Sequence, residues 1–305
     1  MRLDFGYFPE ELTLHGQDWS LSTLPELPER IARVNNEEHV RRNWYYPGNQ
    51  RWQTVGSDVI SSDPFTHRVF GLPKTHLFEL RSSDVPEHVK FLIWVLSFFT
   101  GMRLTSLREG FLDATPITRG SLVDFHFVGP LERAVEMGQS YWRDNAACVV
   151  QTKRLIGAIH ALFLAQYPRH MEFEKFTWLY TALDACFAIL MDREAAPKRI
   201  MPHAHRITWI CGQVDIPVPV WASLQEGKKP KSFTSHIADL RNPLLHEALY
   251  SDEPLGFALA PTASANLPLE MKNFLCRMIA GIIGVSDTEY LTAPVDVFGR
   301  FALRA

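Results

Sequence analysis

The stretch from Glu172 to Met191 limits the fold more than any other part of this chain. Within FEKFTWLYTALDACFAILM the apolar residues Phe176, Leu179, Leu183, Phe187 and Leu190 recur at three- and four-residue steps. That period belongs to a helix and gives it one sticky face, which has to be buried against other elements. Similar patterns surround it. Helices are expected from Asn145, as cap, to about Gln166, and from about Ala204 to Val214. Two more are expected from Ser232 to about Leu249 and from Leu269 to Ile283, the last closed by Gly284. No convincing strand interrupts them. Five amphipathic helices with short links predict an all-α bundle over residues 141–305.

Residues 1–140 read differently. Up to Asp84 the chain is rich in aromatics, prolines and charges, with short candidate strands at Trp52–Val55, Arg68–Leu72 and His76–Arg81 between turn residues. Ser83 or Asp84 suits the cap of a helix from Pro86 to Thr100, and Gly101 suits its stop. That helix is apolar nearly all round, so it is expected to be buried. Ser121–Val128 alternates apolar and polar residues as a strand does. The expectation is an α+β domain of unknown role over 1–140. With 305 residues, two domains are a natural division.

Charge and cysteine usage narrow the function classes. The formal net charge is -3, so no global positive field draws the chain to nucleic acid, and any such partner has to be held by a local patch. The start, MRLDFGYFPEE, lacks the basic and apolar regions of a signal peptide. The longest apolar run, Phe91–Phe99, falls well short of the ~20 residues a membrane span needs. Cys148, Cys186, Cys211 and Cys276 are scattered without metal-ligand spacing and read as buried free thiols. A soluble protein of a reducing cytoplasm, away from membranes, is expected.

The residues that carry chemistry lie in HIADLRNPLLHEALY, from His236 to Tyr250. Arg241 and His246 are separated by four residues, and Asn242 follows the arginine directly. Looser Arg/His pairs occur at Arg33/His39, Arg81/His88, Arg119/His126, Arg154/His160 and Arg199/His205, with longer spacers and no such asparagine. An imidazole can act as base or acid near neutral pH. A guanidinium can grip a phosphate with two prongs and neutralise developing charge. Asn242, four before His246, shares its helical face and can orient the ring. Arg241, five before, is rotated by about 140° from His246 on a straight helix, which does not put the pair together. Pro243 has to kink the helix or start a new one with Asn242 as its cap. A dimer that joins one chain's arginine to the other's histidine is the alternative. Just upstream, Lys228, Lys229 and Lys231 form a dense basic cluster, read as a rim that holds RNA phosphates or as a solvated loop.

RNPLLH, set late among helices, resembles the motif of the HEPN superfamily. The preceding helix YTALDACFAIL, with Asp184, and the final helix LEMKNFLCRMIAGII are similar to the ApeA-like branch. The resemblance covers a little under half of the chain. It implies a HEPN-like helical bundle and a metal-independent endoribonuclease that leaves a 2′,3′-cyclic phosphate and a 5′-hydroxyl. It also implies a homodimer with a composite cleft, acting in stress response or in defence against phage or plasmids. On it, Arg241 and His246 are catalytic, Asn242 positions the imidazole and Asp184 is auxiliary. RNA is then the substrate, a regulator or antitoxin is a further partner, and no cofactor or metal is called for. In toxin members silenced by adenylylation a tyrosine stands two after the histidine; here that place is Ala248, and Tyr250 is displaced.

Other readings stand beside this one. Arg241 can pair structurally with Asp184 or Asp239, leaving a HEPN module that binds RNA or a protein without cutting. A small-molecule sensor with its ligand in the aromatic-rich N-terminal region is a third. His203 and His205 in MPHAHR lack a third metal ligand at useful spacing. A glycine-rich phosphate loop and a nucleophile elbow are both missing from the sequence, which argues against nucleotide hydrolysis and acyl transfer.

Overall fold

A computed structural model describes residues 1–35, 40–46, 52–55, 58–61, 72–107, 114–193, 201–228, 230, 232–247 and 266–304, with backbone alone for 52–55 and 58–61. The architecture is α+β, and the chain divides into two compact units. Unit 1 comprises Met1–Leu122 and Gly129–Arg143; unit 2 comprises Val123–Val128 and Asp144–Ala305.

Unit 1 is built on a four-stranded antiparallel sheet. Its strands are β1 (Arg2–Phe5), β2 (Thr13–His15), β3 (Trp19–Thr23) and β8 (His76–Leu80), in the order β1-β8-β3-β2. In β8 alternate residues His76, Phe78 and Leu80 are buried, as are Trp19 and Leu21 of β3, which pairs Leu21 with Phe78. That period of two gives the sheet one apolar face, on which the rings of Trp19 and Phe78 stack at 5.8 Å. Helix α1 (Leu27–Val34) follows the first three strands. The small strands β4 (Val40–Arg41), β5 (Trp44–Tyr45) and β9 (Thr115–Pro116) form one sheet, and β6 (Trp52–Val55) and β7 (Asp58–Ser61) a hairpin. The Arg68–Leu72 strand expectation falls almost wholly outside the described residues.

Helix α2 (Pro86–Thr100) has the expected bounds and is buried on nearly every side, and Gly101 closes it at φ 61°. Its cap is Val85 rather than Ser83 or Asp84, though the Ser83 hydroxyl accepts from the Val85 amide at 3.2 Å. Against it lies α3 (Leu131–Asp144), a helix the sequence reading missed. A Cβ on Gly138 would stand 3.0 Å from Leu92, and the rings of His88 and Trp142 stack at 4.5 Å.

Unit 2 contains α4 (Val149–Leu164), α5 (Glu172–Arg193), α6 (His203–Gln213), α7 (His236–His246), α8 (Leu267–Ile283) and α9 (Thr288–Leu291). Helices α4, α5 and α8 pack together. Of the predicted apolar face of α5, Phe176, Leu179, Leu183 and Leu190 are buried. Phe187 is half-buried, with Trp209 edge-on at 5.7 Å and the Arg206 guanidinium over its ring at 4.8 Å.

The expectation of an all-α second half needs correction. Strand β10 (Phe125–Val128) pairs in parallel with β13 (Phe301–Arg304), while β11 (Gln225–Glu226) and β12 (Phe233–Thr234) form a hairpin before α7. These strands are too short to leave a visible period-two pattern, and β13 finds its partner 176 positions back, at Phe125↔Phe301. The expected strand Ser121–Val128 is only its last four residues. The N-cap of α4 is Cys148, with no side-chain cap bond, rather than Asn145. Cys148 is exposed, whereas the other three thiols are buried as expected.

Unit 2 is also held by a buried polar network. Arg277 of α8 is 0% exposed and pairs with Asp124 at 2.6 Å, and it donates to the carbonyls of Ala293 and Pro294 at 3.0 and 2.9 Å. Tyr290 donates to the other Asp124 oxygen at 2.7 Å. Among the described residues no helix is long and apolar enough to cross a membrane.

Candidate functional site

Three helices of unit 2 bring the motif residues to one place. Helix α7 begins after Ser235, and the Thr234 hydroxyl bonds Asp239 in its first turn at 2.6 Å. It runs unbroken through Pro243 to His246, so Asn242 caps no new helix. Arg241 and His246 nonetheless meet: the guanidinium Nη1 bonds the imidazole Nε2 within one chain. The expectation that a straight helix keeps them apart counted the 140° between their Cα positions but not the reach of a long arginine stem. His246 is exposed and Arg241 half-buried.

A platform beneath the arginine fixes its direction. The guanidinium carbon lies 5.5 Å from the centroid of the Tyr180 ring of α5, a cation–π distance. The same Nη1 also donates to Asn242 Oδ1 at 3.3 Å, so Asn242 holds the guanidinium rather than the imidazole. Arg241 Nε is buried with no bond among the described residues.

Asp184 lies one turn beyond Tyr180 on α5 and accepts from Arg206 Nη1 at 2.8 Å. The structural pairings of Arg241 with Asp184 or Asp239 are therefore not formed, because Arg206 takes the first carboxylate and Thr234 bonds the second. From α6, His203 places Nδ1 2.8 Å from the Tyr180 hydroxyl. Burial, then the positive charges of Arg206 and Arg241, push His203 down to about 4, with Asp184 pulling the other way and His246 adding to the push. Burial and the Asp184 carboxylate raise the Tyr180 phenol, which stays protonated. His205 goes elsewhere and meets the Phe233 ring edge-on at 5.9 Å.

Comparison with family models, curated proteins and solved structures finds no match to this chain. The site is accordingly read from its own chemistry.

Sequence reasoning named Arg241, His246, Asn242 and Asp184, and the first three share one cluster while Asp184 enters it through Arg206. It missed Tyr180 and Arg206 and weighed His203 only as a metal ligand. A signal was present: Tyr180 and Asp184 are four apart, and His203 and Arg206 three apart, the spacings that put residues on one helical face. Of the basic cluster, Lys228 is exposed in the β11–β12 connection, while Lys229 and Lys231 lie outside the described residues, as do Ala248 and Tyr250.

The arrangement offers one exposed imidazole, a guanidinium with fork geometry, a second imidazole beside a phenol, and an ion pair behind them. A guanidinium of this kind can bind a phosphate, and an imidazole can exchange a proton with it.

Proposed function

We propose that this chain is a metal-independent endoribonuclease of the HEPN type, with the helices of unit 2 forming a HEPN-like bundle. The observation that carries the reading is the contact between the Arg241 guanidinium and the exposed His246 imidazole over Tyr180. Arg241 grips the scissile phosphate and offsets charge on the phosphorane, and His246 serves the proton transfers. The 2′-oxygen attacks phosphorus in line, the 5′-oxygen leaves, and the products are a 2′,3′-cyclic phosphate and a 5′-hydroxyl. Asn242 steadies the guanidinium, and Lys228, with Lys229 and Lys231, extends the phosphate grip. The role is cytoplasmic, in stress response or in defence against phage or plasmids, under a regulator or antitoxin. The HEPN reading carries a homodimer with it, which light scattering of the purified chain measures; the Arg241–His246 contact itself needs no second copy.

The test is incubation of total RNA with the protein in EDTA, followed by detection of cyclic-phosphate ends. Cleavage that His246→Ala abolishes is the expected result. Identical band patterns for the two proteins sink the reading. A second reading, a module that binds RNA or a protein without cutting, draws on the engagement of Arg241 by Tyr180, Asn242 and His246, which equally suits a structural arginine. Expression separates the two: wild type slows growth and Arg241→Ala does not if the chain cuts RNA, whereas equal tolerance favours the binding module.

A further inference from the structure

In-line cleavage of RNA needs two acid–base groups, and the motif of α7 supplies one imidazole. A second imidazole, that of His203, bonds the tyrosine on which Arg241 rests. His203 opens α6 directly after the N-cap Pro202, half-buried, with its Nδ1 edge turned to the Tyr180 hydroxyl at 2.8 Å. The same Tyr180 ring carries the Arg241 guanidinium on its face. One aromatic side chain therefore sets the position of both a phosphate-binding group and an imidazole.

We propose that His203 is the general base of this site: it takes the proton of the attacking 2′-hydroxyl, while His246 gives one to the departing 5′-oxygen. The inference rests on the ribonuclease reading and deepens it by naming a second acid–base group in the same chain. In the step, the O2′–P bond forms and the P–O5′ bond breaks. His203 Nε2 gains a proton and His246 loses one, and exchange with solvent resets both.

The surroundings suit the role. The role requires the tautomer in which Nδ1–H donates to the Tyr180 phenol oxygen at 2.8 Å and Nε2, on the far edge of the ring, keeps its lone pair; Tyr180 is then the positioning residue. Tyr180 of α5 bonds the ring, and the charged groups that act on it are Asp184 from α5, Arg206 from α6, and Arg241 and His246 from α7. Burial first, then the Arg206 and Arg241 charges, outweigh the Asp184 carboxylate and favour the neutral imidazole.

The experiment uses the full chain, a short RNA, and the same RNA with sulfur in place of the bridging 5′-oxygen. Sulfur leaves without a proton, so it relieves the need for the acid and not for the base. His246→Ala is expected to lose on the order of 10²-fold or more on the oxygen substrate and to recover on sulfur. His203→Asn is expected to lose as much on both, in kcat rather than KM. Asparagine keeps an amide near the Nδ1 position for Tyr180, so a merely structural histidine is rescued by it and a base is not. His205→Asn is the control, expected to match wild type.

Cleavage by His203→Asn at the wild-type rate overturns the proposal and leaves the ribonuclease reading standing. Sulfur rescue of His203→Asn in place of His246→Ala overturns the assignment of base and acid. A wild-type protein that cuts neither substrate overturns both readings together.

Discussion

Asp124→Ala is expected to destabilise unit 2 far more than any change at its surface. Asp124 is 2% exposed and Arg277 0%, at 2.6 Å, and the carboxylate also accepts from Tyr290 at 2.7 Å. Alanine removes the counter-charge of a guanidinium that cannot reach water, though the carbonyls of Asn273, Ala293 and Pro294 remain on it. Breaking a buried pair from one side costs about 3–5 kcal/mol. For a unit of this size each kcal/mol moves the melting temperature by about 2–4 °C, so a fall of roughly 10 °C is expected. Asp184→Ala is the internal comparison. Its pair with Arg206 has a similar distance, 2.8 Å, but the side chains are 40% and 22% exposed. Half-exposed pairs contribute about 0.2–1 kcal/mol, and the shift there should be a few degrees at most. Calorimetry of both variants reads the difference directly. Equal shifts refute the argument, because burial is then not what gives the Asp124 pair its weight.

Two further outcomes follow from burial alone. His76, His88 and His203 are all pushed down to about 4, chiefly by burial. A histidine with a depressed folded value stabilises fully above its unfolded value of about 6.5 and loses that contribution as pH falls toward the folded one. For the fully buried His76 the loss at pH 5 is on the order of 2 kcal/mol, so the urea midpoint should drop between pH 7 and pH 5; an unchanged midpoint contradicts the burial. Cys148 is exposed, while Cys186, Cys211 and Cys276 are buried, with Cys186 and Cys211 pushed up to about 12. A thiol reagent on the native protein should therefore modify one cysteine quickly, and fast reaction of two or more is the opposing result.

What the sequence made legible was whatever local periodicity encodes. Helices α2, α5 and α8 are long, strongly patterned or glycine-stopped, and α2 was read to the residue. Of the four-stranded sheet of unit 1 only β8 was read, as His76–Arg81; β1, β2 and β3 escaped because they are three to five residues long, and the pairing escaped because β8 meets β1 and β3 from more than 50 positions away. Helix α3 escaped for another reason: LERAVEMGQSYWRD carries a glycine in its middle, which weakens the helical pattern, and that glycine is there so α2 can come close. Arg277 was not singled out in the sequence, although a charge inside LEMKNFLCRMIAGII demands a buried partner; only the fold shows that the partner is Asp124. The site was half legible. RNPLLH pointed to Arg241 and His246, while Tyr180 and His203 lie on other helices and have no motif of their own.

The meeting of Arg241 and His246 is a property of two helices rather than of RNPLLH. On α7 alone the arginine stem is free to sweep around the helix. Only the Tyr180 face, supplied by α5, turns the guanidinium toward the histidine. On the proposed reading this has a consequence for how the site wakes. At rest the guanidinium Nη1 is engaged with Asn242 Oδ1 and with His246 Nε2. A phosphodiester presents two charged oxygens, and charge-assisted, two-pronged bonds are roughly twice as strong as neutral ones. Arrival of the substrate then draws the guanidinium off the imidazole and frees Nε2 to carry the proton that the leaving group needs. The Arg241–His246 contact is in that sense a latch that the phosphate opens. A lysine at 241 offers neither the planar face for Tyr180 nor the fork for the phosphate, so the latch depends on arginine and on the tyrosine beneath it.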